Sequence, residues 1–186
     1  MGREGDGKPA AGAEPARETV SVEAAGRSAF TAGIAVEEWQ RLAAFEVRIA
    51  VFVEEQLVPI EEEWDSYDPI ATHIVVSLSG AETQDPGSII ATARLFEKEE
   101  GVGKVGRVAV LKPYRRQGVG SVLMRCAEEI ARRRRYRTLI LDSQCTAIPF
   151  YEQLGYRAEG PVFLDAGIDH RRMRKELTGH NTLSNT

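Results

Sequence analysis

The sequence predicts a single α+β domain over residues 19–177, on three observations. Apolar segments at 72–79, 88–96 and 104–111 are separated by turn-rich stretches, the pattern of antiparallel hairpins. The third segment runs into a glycine-bearing turn, an amphipathic helix and a further apolar strand, so a βαβ-like unit follows the hairpins. The chain has 186 residues, 42% of them hydrophobic, which suits one sizeable core.

Residues 1–18 are rich in Gly, Ala, Pro, Glu and Arg without periodicity, and are expected to form a disordered tail. A short strand is expected at 19–24. Trp39, Leu42, Ala43, Val47, Ala50 and Val51 then recur at helical spacing and predict a helix from 36 to about 53. An acidic loop comes next, with Glu54, Glu55, Glu61, Glu62, Glu63, Asp65 and Asp68 punctuated by Pro59 and Pro69. After the three strands, a second helix gathers Val119, Val122, Leu123, Cys126, Ala127 and Ile130 on one face. Residues 138–142 read as a buried strand, and 147–154 as a short helix stopped by Gly155. Strands at 156–159 and 170–176 and a polar tail at 178–186 complete the chain.

Composition narrows the function. A formal net charge of −4 argues against a protein that coats nucleic acid. The run Arg132–Arg135 with Arg137 lies at a helix C-terminus, where cations favour the dipole and solvate an exposed face. No apolar run approaches the roughly 20 residues that span a bilayer, and the N-terminus lacks a signal-peptide core. A cytoplasmic protein without membrane contact is expected. Cys126 and Cys145 form neither a disulfide framework nor a CxxC pattern, and His73, His170 and His180 are too scattered for a metal site, so no metal is expected.

The most informative segment is Val108-Ala-Val-Leu-Lys-Pro-Tyr-Arg-Arg-Gln-Gly-Val-Gly120, followed by the second helix. The first amides of a helix have no internal partners, and the helix dipole adds positive potential there, so phosphate binds readily. Gly118 and Gly120 let backbone approach a ligand, and Arg115 and Arg116 add charge. These residues point to a small molecule carrying a pyrophosphate. No Lys-Ser/Thr pair follows the glycines, which argues against a nucleotide triphosphatase.

Arg115-Arg-Gln-Gly-Val-Gly120 resembles the acyl-CoA signature of the GNAT acetyltransferase superfamily. Asp142-Ser-Gln-Cys-Thr-Ala-Ile-Pro-Phe-Tyr-Glu-Gln-Leu-Gly-Tyr156 resembles that family's second block. Phe52-Val-Glu-Glu-Gln56, Val58-Pro59, Tyr67-Asp68, Thr72-His73 and Ala166-Gly-Ile-Asp-His-Arg-Arg-Met-Arg-Lys175 are similar to the bacterial ElaA/YjcF-type members. The resemblance implies a mixed central sheet of about six to seven strands flanked by about four helices. It further implies acetyl-CoA as cosubstrate, a small-molecule or protein amine as acceptor, and allows a homodimer.

By this resemblance, Arg115, Arg116, Gln117, Gly118, Val119, Gly120 and Ser121 would hold the pyrophosphate. Val108, Ala109 and Val110 would offer a strand edge to the pantetheine amides, because the family's strand splays from its neighbour there. Gln144 stands where the family has Asn, and serves either as a pantetheine contact or as a local cap. Tyr151 would face the thioester and donate a proton to the departing sulfur, a suitable task for a phenol. An alkyl ammonium near pKa 10.4 must first lose a proton. The family often carries a carboxylate on the strand where this chain has Gly106 and Arg107. The base is therefore sought among Glu55, Glu61 to Glu63, Asp65 and His73, with Glu55 and His73 foremost. The acidic loop is either an attractor for cationic amines or a solvated lid. Cys145 could carry an acyl group, although a small inert residue fits the same position. The reading from another class is a non-catalytic acyl-CoA-binding module.

Overall fold

The computed structural model describes residues 29–80 and 84–177, so the expected strand at 19–24 and both tails lie outside the described residues. Among the described residues seven strands form one sheet in the order β1-β2-β3-β4-β5-β7-β6. They are β1 (Phe30–Ile34), β2 (Thr72–Leu78), β3 (Ile89–Glu99), β4 (Val102–Val110), β5 (Thr138–Gln144), β6 (Arg157–Asp165) and β7 (Ile168–Glu176). Every pairing is antiparallel except that of β4 with β5. The helices are α1 (Glu38–Arg48), α2 (Ile60–Glu63), α3 (Val119–Arg133) and α4 (Ile148–Gln153).

Helix α1 begins where the Gln40 side chain accepts from the amides of Val36 and Glu37, satisfying backbone donors ahead of its first turn. It continues as a π-helical segment, Ile49–Glu55, so the helical run outlasts the expected end at 53. Ala43, Ala44, Val47 and Val51 pack with Val75, Ile89 and Ala109 on one face of the sheet. Leu42 was expected on that face but is 57% exposed: Ala43 and Ala44 take the inward positions and allow a close approach. The opposite face belongs to α3 and α4. Val119, Val122, Leu123, Cys126, Ala127 and Ile130 are buried there as the spacing predicts, against Ile74, Val76, Leu95 and Leu141.

Strands β6 and β7 are longer than their sequence patterns indicate. A two-residue turn with positive φ at both Ala166 and Gly167 joins them into a continuous hairpin.

The parallel contact between β4 and β5 has a local steric requirement. Gly103 faces Leu139 in the pairing, and a Cβ on Gly103 would lie 2.6 Å from Tyr136 and 2.7 Å from Leu139. Gly103→Ala should therefore destabilise the domain by about 1–3 kcal/mol in a denaturant titration, the usual cost of overpacking. An unchanged midpoint would contradict the packing described.

Candidate functional site

Strands β4 and β5 pair at only three positions, Val102 with Thr138, Gly103 with Leu139, and Lys104 with Ile140. Both continue, to Val110 and Gln144, but no longer pair. The cause lies partly in β4, whose pairing with β3 shifts register between Thr92 and Arg94 while Arg107 adopts a φ of 51°. Such a bulge bends and twists its strand. A cavity of about 400 Å³ opens at the fork, lined by Gly106 and Val108 of β4, Asp142 and Gln144 of β5, and Tyr151 of α4.

Lys104 Nζ lies 2.8 Å from an Asp142 oxygen at the base of the fork, and Arg172 holds the other oxygen. Burial opposes ionisation of Asp142, yet Arg172 and Lys104 outweigh it and keep the carboxyl below its ordinary range.

At the far end of β4 lies the turn into α3. Arg116 and Gly118 have positive φ, 62° and 85°, and Gly118 caps α3. Alternation of this kind curls successive amides toward one point, and the first helical amides add to the set. Arg116, Gln117 and Gly118 are exposed.

Arg115 differs from expectation. Its Nε donates to the carbonyl of Val110 at 2.8 Å, and its two terminal nitrogens bind the Glu55 carboxylate at 2.6 and 2.7 Å. It fastens the turn to β4 and to the π-helical segment, with its charge matched by Glu55. Arg116, like Lys112 earlier in the turn, is exposed and makes no ion pair among the described residues. Gln117 donates to the Pro113 carbonyl at 2.7 Å. Gly120 is small for a further reason: a Cβ there would lie 3.1 Å from the Phe150 ring, so the turn packs directly on the helix that carries Tyr151.

Tyr151 is 7% exposed and forms part of the cavity wall, its ring edge-on to Phe150 and Tyr156. Burial raises its phenol above the ordinary value, so it remains protonated across the neutral range. Gln144 also lines the cavity, and its amide donates to Gln56 Oε1 at 2.8 Å. Gln56 follows the π-helical segment directly. That one segment therefore places Glu55 on the turn and Gln56 on the cavity, in keeping with the frequent use of π-helical turns at functional sites.

The acidic loop is not a free acidic surface. Arg48 pairs with Glu63 and Asp68, Arg94 with Asp65 and Asp68, and Arg107 with Glu63. Burial opposes ionisation of Asp68, but the hydrogen bonds from Arg48 and Arg94 hold its carboxyl far below the ordinary range. Most of the negative charge expected to attract an amine is thus matched within the fold. Arg48 is 1% exposed and accounts for much of how the loop is held.

Glu55 and His73, foremost among the expected bases, stand outside the cavity wall. Glu55 is bound to Arg115; that hydrogen bond, chiefly, lowers its pKa and makes it a weaker base. His73 is 6% exposed, its Nε2 donates to the Asp68 carbonyl at 3.0 Å, and burial lowers its pKa. It supports the loop from beneath. His170, absent from the expected site residues, lines the cavity beside Gln144. The pairing of β7 with β5 places His170 opposite Gln144, a register that the β7 sequence by itself does not announce. Among the described residues no cluster of His, Cys, Asp and Glu could hold a metal ion, and no helix is long and apolar enough to cross a membrane.

Comparison with known proteins gives a consistent result. Residues 49–177 match the family model described as an acetyltransferase (GNAT) domain. The N-acetyltransferase YjcF of Bacillus subtilis, itself uncharacterised, is 40% identical over 144 residues, covering 77% of this chain and 97% of YjcF. A solved structure from Lactobacillus plantarum, assigned to the N-acetyltransferases, has a TM-score of 0.72 at 32% identity, over 81% of this chain and 99% of that one. Escherichia coli ElaA shares the fold with a TM-score of 0.65 at 24% identity, over 79% of this chain and 98% of ElaA.

The arginine network makes stability depend on acid. A carboxyl whose folded pKa is depressed adds stability above its unfolded value of about 4, and that stability is lost as pH falls toward the folded value. The denaturation midpoint should therefore drop between about pH 4 and pH 2, and Asp68→Asn should flatten the drop while lowering stability at pH 7. Parallel pH profiles for the two proteins would contradict this role for Asp68.

Proposed function

The chain belongs to the GNAT acetyltransferase family, in its ElaA/YjcF-type branch, and we propose that it moves the acetyl group of acetyl-CoA to a primary amine by direct attack in a ternary complex. The observation that carries this reading is the fork between β4 and β5, with an amide-rich turn at its outer end and Tyr151 in its wall. The residues fit acetyl-CoA part by part. Amides of the 116–121 turn, with the Arg116 charge, bind the pyrophosphate. The unpaired edge of β4 at Val108, Ala109 and Val110 bonds the pantetheine amides in the manner of an added strand. Gln144, fixed by Gln56, adds a side-chain amide to the same channel. The thioester supplies the acetyl group, and the protein's part is to orient it.

Tyr151 serves the departing sulfur as a hydrogen-bond donor. A phenol raised by burial is a poorer acid than a thiol near 8.5, so full transfer of its proton to a thiolate is uphill. A neutral hydroxyl fixed beside developing negative charge still stabilises it without giving the proton away. One such bond to a charged group is worth about 1.5–3 kcal/mol, or roughly tenfold to a hundredfold in rate.

Two outcomes follow. Tyr151→Phe should lower kcat by about tenfold to a hundredfold, with little change in the KM for acetyl-CoA. Unchanged turnover would remove Tyr151 from the chemistry. Direct attack gives intersecting double-reciprocal plots and an active Cys145→Ala enzyme; parallel plots with acetylated Cys145 would indicate a covalent route instead. The acceptor is sought in a panel of polyamines, amino sugars, aminoglycosides and lysine peptides, read by CoA release. Binding of CoA without turnover across the whole panel would favour the non-catalytic module, a reading that the lack of a β4 carboxylate supports.

A further inference from the structure

Accepting the transfer reading above, the cavity still needs a group that takes a proton from the acceptor ammonium. Strand β4 carries no carboxylate, and the carboxylates of Glu63, Asp65, Asp68 and Asp142 are all bound by arginine or lysine. We propose that His170 is the general base. It lies on β7 directly opposite Gln144 of β5, so the two side chains share one sheet face, and both line the cavity with Tyr151. Its Nδ1 is 2.8 Å from the Ile168 carbonyl. A carbonyl only accepts, so Nδ1 carries the proton and Nε2 keeps its lone pair, the tautomer a base requires. Phe163 of β6 lies opposite His170 on its other side, with the two ring centroids 6.1 Å apart and the planes at 26°.

The cavity that His170 lines carries charged and titratable groups from every element around it. Strand β3 contributes Arg94, and β4 contributes Lys104 and Arg107; helix α2 contributes Glu62 and Glu63, with Asp65 and Tyr67 in the loop after it. Strand β5 contributes Asp142, committed to Lys104 and Arg172; α4 contributes the neutral Tyr151, and β6 its last residue, Asp165. Arg94 is paired with Asp65, and Arg107 with Glu63. Glu62 and Asp165 are the alternative bases. Both occupy exposed positions, and carboxylates as a class are weaker bases than imidazole. Histidine is also the residue type whose charge changes nearest neutral pH.

The step balances. His170 Nε2 takes one proton from the ammonium, giving a neutral amine. The amine lone pair forms the C–N bond as the C–S bond breaks, and that electron pair leaves on sulfur, beside the Tyr151 hydroxyl. The second nitrogen proton ends on the sulfur, and His170 returns its own to solvent at the open mouth of the cavity. Amide, CoA thiol and one free proton result.

The test compares His170→Asn with the unmodified protein on two acceptors, using acetyl-CoA as donor. One acceptor is the alkyl amine of the panel that turns over fastest; the other is hydroxylamine, which is largely unprotonated at neutral pH and needs no base. His170→Asn should lower kcat/KM for the alkyl amine by about a hundredfold and abolish the acidic limb of its pH profile. Hydroxylamine transfer, the KM for acetyl-CoA and the thermal midpoint should change little. Equal losses with both acceptors, or an intact acidic limb, would overturn the assignment of His170 and leave the transfer reading standing. Glu62→Gln and Asp165→Asn serve as the counter-test, since loss of the acidic limb in either one would move the base there. An unmodified protein that consumes acetyl-CoA with neither acceptor would overturn the transfer reading, and the base with it.

Discussion

Backbone hydrogen-bonding groups inside a fold must find partners, and the site depends on where this sheet fails to provide them. Strand β4 is paired with β3 along most of its length, and β5 is paired with β7 out to Gln144 and His170. Between them only three pairs form before the strands part. The edges beyond Lys104 and Ile140 then face a cavity in place of each other. A ligand with its own amides can complete the interrupted ladder. The bulge at Arg107 bends β4 away, Gly103 lets the seam close tightly below, and the Lys104–Asp142 pair marks where it ends.

A second constraint fixes the wall of the cavity that faces the acidic loop. Arg48, Arg94 and Arg107 rise from α1, β3 and β4 and tie down the segment from Glu63 to Asp68. Breaking a buried pair of this kind leaves an uncompensated charge, so the network acts as a unit. The π-helical segment above it carries Glu55 to Arg115 and Gln56 to Gln144. Donor turn, channel and loop are thereby joined through a few hydrogen bonds. Arg115, held by the Val110 carbonyl and the Glu55 carboxylate, fixes the turn in place relative to β4.

Local features were legible in the sequence and long-range pairings were not. The Arg115–Gly120 turn could be read because its glycines, the preceding strand and the helix after it lie within one short stretch. The inward face of α3 followed from helical spacing. Strand β1, Phe-Thr-Ala-Gly-Ile, gave no signal because it is short and contains a glycine. Glu63, Asp65 and Asp68 read as a solvated acidic loop because their partners lie 15 to 44 residues away on other elements. Glu55 looked like a base for the same reason: its partner Arg115 is 60 residues along the chain. His170 looked isolated because its place beside Gln144 depends on the register of β7 against β5, a long-range pairing that the mostly charged β7 sequence does not announce.

The central claim is that the interrupted β4 edge and the turn after it bind CoA through backbone amides. Amide hydrogen exchange, resolved by residue with and without CoA, measures those groups directly. The account predicts slowed exchange over the 116–121 turn and along the outer part of β4 up to Val110, with the Gln144 side-chain amide shifted. Exchange in these segments that is unchanged by saturating CoA, or protection confined to some other surface, would contradict it.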